Sequence, residues 1–217
     1  MLKKRGQDPG INSVTTRRIN YGDEVELLEH FNDDLVYIRN MNVEGTTCLS
    51  LLVQRNNEDC VLKVRRKTHN LWDEKYFFYE LHALRRAEER NLKGVNRLLK
   101  NYDCDGFQGL LKPYVSGTAG NYMDPAFLED PEFVARLDQL YMRLHLAGIS
   151  NVSFLPRKIV FADDGEITLV DLSTCLVNTE IGVQQFNLTM KEDSQFITML
   201  EKRIKKKHRL HRKLAVH

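Results

Sequence analysis

The sequence predicts an α+β fold in two parts: a five-stranded first half carrying one helix, and a smaller, mainly helical second half. Three observations predict it. Between Leu35 and Val115 the chain holds five β-rich runs separated by turn residues. One stretch within that region, from Leu71, instead places apolar residues at helical spacing. After Pro131 the period is helical again and is broken by a single loop and hairpin.

The elements follow in order. Residues 1–34 read as a polar lead-in without an apolar core of the kind a secretory signal needs. "DLVYIRNMNVEG" and "TTCLSLLVQ" read as strands, and "RNNED" turns the second into "CVLKVRR". "LWDEKYFFYELHALRRAEERN" is an amphipathic helix, with Leu71, Phe77, Phe78, Leu81 and Leu84 on its apolar side. "VNRLLKNYDCD" and "GFQGLLKPYVSG" are strands joined through Asp105-Gly106, and Pro113 sits near the end of the second. "GTAGN" marks the boundary between the halves. "PEFVARLDQLYMRLHLAG" is a helix with Pro131 in its first turn and Gly148 past its end. The parts are therefore a lead-in at 1–34, a first lobe at 35–117, a second at 118–200 and a basic helix at 201–217.

Composition narrows the function classes. The 217 residues are 42% hydrophobic and 29% charged, enough for a true core. No run of 18 apolar residues suggests a membrane span. Cys48, Cys60, Cys104 and Cys175 form no C-x-x-C pair and have no histidine cluster beside them, which points to reduced thiols in the cytoplasm rather than zinc or a disulfide frame. A net charge of +2 does not call for nucleic acid. The distribution is more telling, because residues 201–217 contain eight Lys or Arg and one Glu. Such a tail fits an anionic membrane surface, where each basic residue contributes roughly 1 kcal/mol. Arg203, Lys205, Lys206, Lys207, Arg209, Arg212 and Lys213 carry that reading, which gives a cytoplasmic protein peripheral to the inner face of a membrane. No aromatic residues interleave the charges for base stacking, which disfavours nucleic acid. A protein partner is the other reading.

Two sets of residues carry chemistry. Lys63 lies on a strand, and Glu80 follows it by 17 residues on the next helix. A strand lysine can meet phosphate oxygens as a point cation while a helix glutamate aims it. One such pair occurs in most proteins, and it gains weight only from its surroundings. The second set lies in "GISNVSFLPRKIVFADDGEITLVDLS", Gly148–Ser173: a helix end, a loop with one proline, a hairpin tip at Asp164-Gly165 and a strand that delivers Asp171.

In order and spacing, residues 35–180 resemble the protein-kinase-like superfamily. The nearest pattern is that of small bacterial lipopolysaccharide-core (Kdo/heptose) kinase-like proteins, through Leu144-His145-Leu146-Ala147-Gly148, Asp171-Leu172 and the basic tail. The resemblance implies a two-lobed kinase-like fold with a five-stranded N-lobe and a small, mainly helical C-lobe. It implies ATP and Mg²⁺ as cofactors, with Lys63, Glu80, Gly45 and Lys158 at the nucleotide and Asp171 at the metal.

Several letters depart from that pattern. Ser153 stands where the family has its catalytic Asp, Asn151 and Val152 replace the His-Arg before it, and Lys158 replaces the metal-binding Asn. An unassisted serine hydroxyl is too weak a base for an acceptor alcohol, and Mg²⁺ takes oxygen ligands rather than an ammonium. Only Gly45 represents the glycine-rich loop, and no Ala-Pro-Glu segment follows Asp171. No substitute base stands out: His145 reads as a hydrogen-bonded core histidine, Asp163 and Asp164 as turn residues, and Asp138 as an exposed helical residue. The expectation is a degenerate kinase-like protein, a pseudokinase, that binds a nucleotide or a partner in its cleft. An active ATP-dependent phosphotransferase acting on a lipopolysaccharide-core saccharide, and a non-catalytic scaffold with a closed cleft, are the alternatives.

Overall fold

The computed structural model describes residues 23–42, 48–67, 71–122, 130–152, 156–162 and 166–214, with backbone only at 71–73, 121, 156 and 207–214. The expectations for Gly45, Ser153, Asp163 and Asp164 fall outside the described residues, as do side chains at Lys207, Arg209, Arg212 and Lys213. The described part is mixed α+β, with a five-stranded antiparallel sheet and four α-helices.

The sheet contains β1 (Leu35–Asn40), β2 (Leu49–Arg55), β3 (Glu58–Arg66), β4 (Lys100–Cys104) and β5 (Phe107–Pro113), in the order β1-β2-β3-β5-β4. The β2–β3 turn is tighter than the "RNNED" stretch expected, because Arg55 already pairs with Glu58. Asn56 and Asn57 both take left-handed backbone, with φ of 52° and 62°, which matches the twist of a two-residue hairpin. Period-two alternation then gives the sheet two different faces. Leu51, Val53, Cys60, Leu62, Val64 and Leu111 are buried on the outer face. The inner face carries Val61, Lys63, Leu110 and Lys112, with Lys63 opposite Leu110 and Val61 opposite Lys112.

The outer face is covered by a helix that the sequence reading had placed in the polar lead-in. Residues 23–34 instead contain α1 (Glu24–Glu29). Asp23 caps it by accepting from the backbone N–H of Val25 at 2.8 Å and Glu26 at 3.4 Å. Leu27, Leu28 and Phe31 are buried against the sheet. Asp33 then ties the covering segment down, accepting from Arg55 Nε at 3.2 Å, Lys100 Nζ at 2.8 Å and Tyr102 OH at 2.6 Å.

α2 (Leu71–Glu89) brings Phe77, Leu81, Leu84 and Ala87 into a second core shared with the helical half. The strand expected from Val95 begins only at Lys100. Residues 94–96 are used elsewhere: Leu169 N–H donates to Gly94 O at 2.9 Å, and Asn96 N–H donates to Leu169 O at 3.0 Å. Backbone that could have lengthened the sheet thus joins the two halves.

The second half opens with β6 (Gly117–Ala119), which pairs with β8 (Ile159–Ala162), and β8 pairs with β9 (Ile167–Leu169). α3 (Pro131–Leu146) starts at an Asp130 cap with Pro131 in its first turn and buries Leu137, Leu140 and Leu144. β7 (Ile149–Ser150) pairs with β10 (Leu176–Val177). The chain then forms α4 (Asn178–Leu214), broken only at Gly182 with φ 75°. The basic segment expected from residue 201 is the continuation of this helix, and Ile197, Leu200 and Ile204 carry a buried stripe across that point. Ile204, set among the basic residues, belongs to the core. Asp138, expected to be exposed, is half-buried.

Candidate functional site: a lysine-lined cleft

Lys63 reaches the cleft because alternation along β3 turns it to the inner face, two residues beyond Val61. Glu80 reaches it because it lies on the buried side of α2 between Phe77 and Leu84, and it is fully buried. Lys63 Nζ donates to Glu80 Oε2. The other oxygen, Oε1, accepts from Lys112 Nζ at 2.5 Å. A carboxylate in so dry a place is tolerable only when both oxygens are satisfied, and here each has its own ammonium.

Asp171 enters from the opposite wall, on the loop after β9. Its Oδ1 lies 3.4 Å from Lys63 Nζ and accepts from the Ser173 N–H at 3.0 Å. Its Oδ2 lies 3.6 Å from Lys158 Nζ. Burial opposes charge on Asp171, but Lys63, Lys158 and Lys112 outweigh it and hold the carboxyl far below the usual carboxylate range. Burial likewise opposes charge on Lys63, yet Glu80 and Asp171 raise it above an ordinary lysine. Lys158 is almost fully buried and also approaches Thr174 Oγ1 at 3.1 Å and Ser173 Oγ at 3.4 Å. The result is one connected cluster of three ammonium groups and two carboxylates.

The neighbouring backbone is pinned. Val170 O accepts from Lys112 Nζ at 3.0 Å, and Val170 N–H donates to Lys158 O at 2.8 Å. Asn151 takes left-handed backbone, φ 58°, and its amide donates to Thr174 O at 2.7 Å. Asparagine tolerates that conformation better than most residues. Val152 is held from both sides: its N–H donates to Asp193 Oδ1 at 2.9 Å, and its carbonyl accepts from Tyr141 OH at 2.8 Å. His145 Nε2 lies 2.9 Å from Asp193 Oδ2, the hydrogen-bonded histidine expected. The loop entrance is thus fixed up to the last described residue before Ser153.

These residues border a cleft of about 460 Å³ between the inner face of the sheet and the helical half. Val61, Val115 and Val160 line an apolar wall, while Lys63, Lys158 and Asp171 form the polar end. No family model matches the chain, and no curated protein matches it. The cleft must be judged on its own groups.

Mg²⁺ fits them poorly. Each Asp171 oxygen already faces an ammonium, so a divalent cation would have to displace lysines or accept their repulsion. Among the described residues, no group of three or more His, Cys, Asp or Glu side chains could hold a metal. A phosphate-bearing anion fits better, since the cluster carries one more positive than negative charge and its three lysines line the cleft. Sequence reasoning brought Lys63, Glu80, Asp171 and Lys158 to this place but missed Lys112 and Asp193. The signal for Lys112 was present: it occupies an interior position in the apolar run "GLLKPYV", in register with Val61.

Proposed function

We propose that this chain is a degenerate kinase-like protein whose cleft takes a phosphate-bearing ligand such as ATP and transfers phosphate poorly or not at all. One observation carries the reading. Lys63, Glu80 and Asp171, drawn from a strand, a helix and a distant loop, form one ion-paired chain across a single cleft. In this reading the five-stranded sheet and α2 act as an N-lobe and residues from about 118 as a C-lobe. Lys63 is the phosphate clamp, Glu80 aims it, and Lys158 supplies positive charge where the related pattern uses a metal-binding asparagine. The weakness in transfer follows from Ser153, which cannot take a proton from an acceptor alcohol unaided.

A thermal-shift series with ATP, in EDTA and in Mg²⁺, tests this. Stabilisation by ATP in EDTA that is equal to or greater than that in Mg²⁺ supports the reading. Strong Mg²⁺-dependent phosphorylation of an acceptor saccharide, lost in Asp171→Ala, would replace it with an active phosphotransferase. No shift in either condition would replace it with a closed-cleft scaffold.

A further inference from the structure

We propose that the Asp171 carboxylate is an internal competitor for the anion that the cleft takes, and does not act as a metal ligand. The inference rests on reading the cleft as a phosphate site. It goes further by assigning Asp171 a role of opposite sign to the one its position suggests.

The argument begins with how the charges are shared. Glu80 is fully buried and satisfies Lys63 and Lys112 at close range. Asp171 is different. It lines the cleft, about a third of its side chain is exposed, and its contacts with Lys63 and Lys158 are long, at 3.4 and 3.6 Å. Contacts of that length are Coulombic attractions rather than tight, directed hydrogen bonds. Both lysines face the cleft, and they are the cations that a phosphate oxygen would seek. Asp171 therefore occupies the electrostatic position of a ligand anion, held by two long ion pairs and by the Ser173 N–H at 3.0 Å.

The consequence can be read without a metal. With Asp171 ionised, the cluster has a surplus of one positive charge, and neutralising it raises that surplus to two. A polyphosphate entering the native cleft must push the carboxylate aside or lie beside it, and like charges at short range oppose binding. Asp171→Asn keeps the shape and an oxygen able to accept from the Ser173 N–H, but removes that opposition. In a metal-dependent site, the same substitution removes a ligand and weakens binding. The two roles predict opposite signs.

Calorimetric titration of the full chain with tripolyphosphate and with ATP, in EDTA at low salt, decides between them. The variants are Asp171→Asn, Asp171→Ser, Lys158→Met and, as a control for net charge, Asp105→Asn. Asp105 is exposed at a hairpin tip, where Asn-Gly turns as well as Asp-Gly. Asp171→Asn is expected to bind both anions about tenfold more tightly, Lys158→Met to bind them more weakly, and Asp105→Asn to change affinity less than about twofold. Added Mg²⁺, by masking the ligand's charge, is expected to weaken binding to the native chain, a measurement that needs no variant.

If the native chain binds while Asp171→Asn and Asp171→Ser bind equally or less tightly, the inference falls and the phosphate site stands. If Mg²⁺ tightens native binding and the gain disappears in Asp171→Asn, the metal role is restored and the inference falls. If neither anion binds to any form, the phosphate reading falls and takes the inference with it.

Discussion

Asp171 and Lys63 are 108 residues apart in the chain and 3.4 Å apart in the structure. That contact joins the sheet to the helical half where both bring charge to the same cleft. The predictions that follow concern what holds this arrangement and what surrounds it.

Removing Glu80 should be far more damaging than removing either lysine that it holds. Glu80→Ala takes the close carboxylate from two buried ammonium groups, leaving Lys63 only the longer contact with Asp171 and Lys112 only Val170 O, and breaking a buried pair in this way costs about 3–5 kcal/mol. Lys63→Met and Lys112→Met should each cost less, because one lysine remains on the carboxylate. The double variant should cost more than the sum of the two, since Glu80 is then buried alone. Urea unfolding of the four forms measures this, and strict additivity would show that Glu80 is not shared.

Acid should loosen the α1 side of the sheet through Asp33. Burial opposes its charge, but hydrogen bonds from Lys100, Tyr102 and Arg55 outweigh that and hold the carboxyl well below its ordinary value. Because the folded-state value is the lower one, the stabilisation is complete above the unfolded value of about pH 3.9 and drains away as pH falls below it. Asp33→Ala should cost about 2–3 kcal/mol at neutral pH, the scale of hydrogen bonds to a charged group. It should also flatten the acid limb of a stability–pH curve, and an unchanged limb would exclude this hub as its source.

Gly117→Ala should break the start of β6. The backbone there has φ 140°, and an added Cβ would lie 2.0 Å from Phe161 O on the paired strand. The strained backbone alone costs about 1–3 kcal/mol, and the overlap adds to it. Thermal unfolding should show a clear loss, whereas Gly106→Ala, with φ 76° but open space around it, should lose only the backbone share.

The basic helix should bind anionic vesicles through charge alone. Lys202, Arg203, Lys205 and Lys206 are exposed, while Ile204 between them is buried. Glutamine at those four positions should reduce cosedimentation with phosphatidylserine vesicles. Binding of the native chain should weaken as salt rises through the physiological range, where the screening length is about 8 Å. Charge replacement is the better test here than truncation near Thr198, which would also remove Leu200 and Ile204 from the core. Equal cosedimentation of the two forms would exclude a lipid role for these residues.

The legible part of the molecule was whatever local periodicity dictates. Five strands, α2, α3 and the basic helix follow from spacing and turn residues, and Lys63 and Glu80 meet because each lies on the face that its period assigns. α1 was hidden because six residues are too few for a period to show, and its burial depends on a sheet contributed by later sequence. Lys112 was passed over although its place inside an apolar run marked it, because its partners come from distant sequence. A strand lysine normally turns to water, and only the β3–β5 register reveals Glu80 and Val170 O in its path. The burial of Ile204 was not legible because charges stand on either side of it, and only the buried stripe of α4 reveals it.

α4 continues as helix for ten residues beyond Ile204, to Leu214. At 1.5 Å per residue that is a helical length of about 15 Å, with no break in the helix after Gly182. It is continuous with the segment held by Leu200 and Ile204, so its direction is set by the body of the molecule. Whatever the basic end rests on meets a strut rather than a string. Contact there fixes the direction in which the cleft opens, as well as its distance from the contact, so docking at the tail would decide which solutes can approach Lys63 and Asp171 head-on.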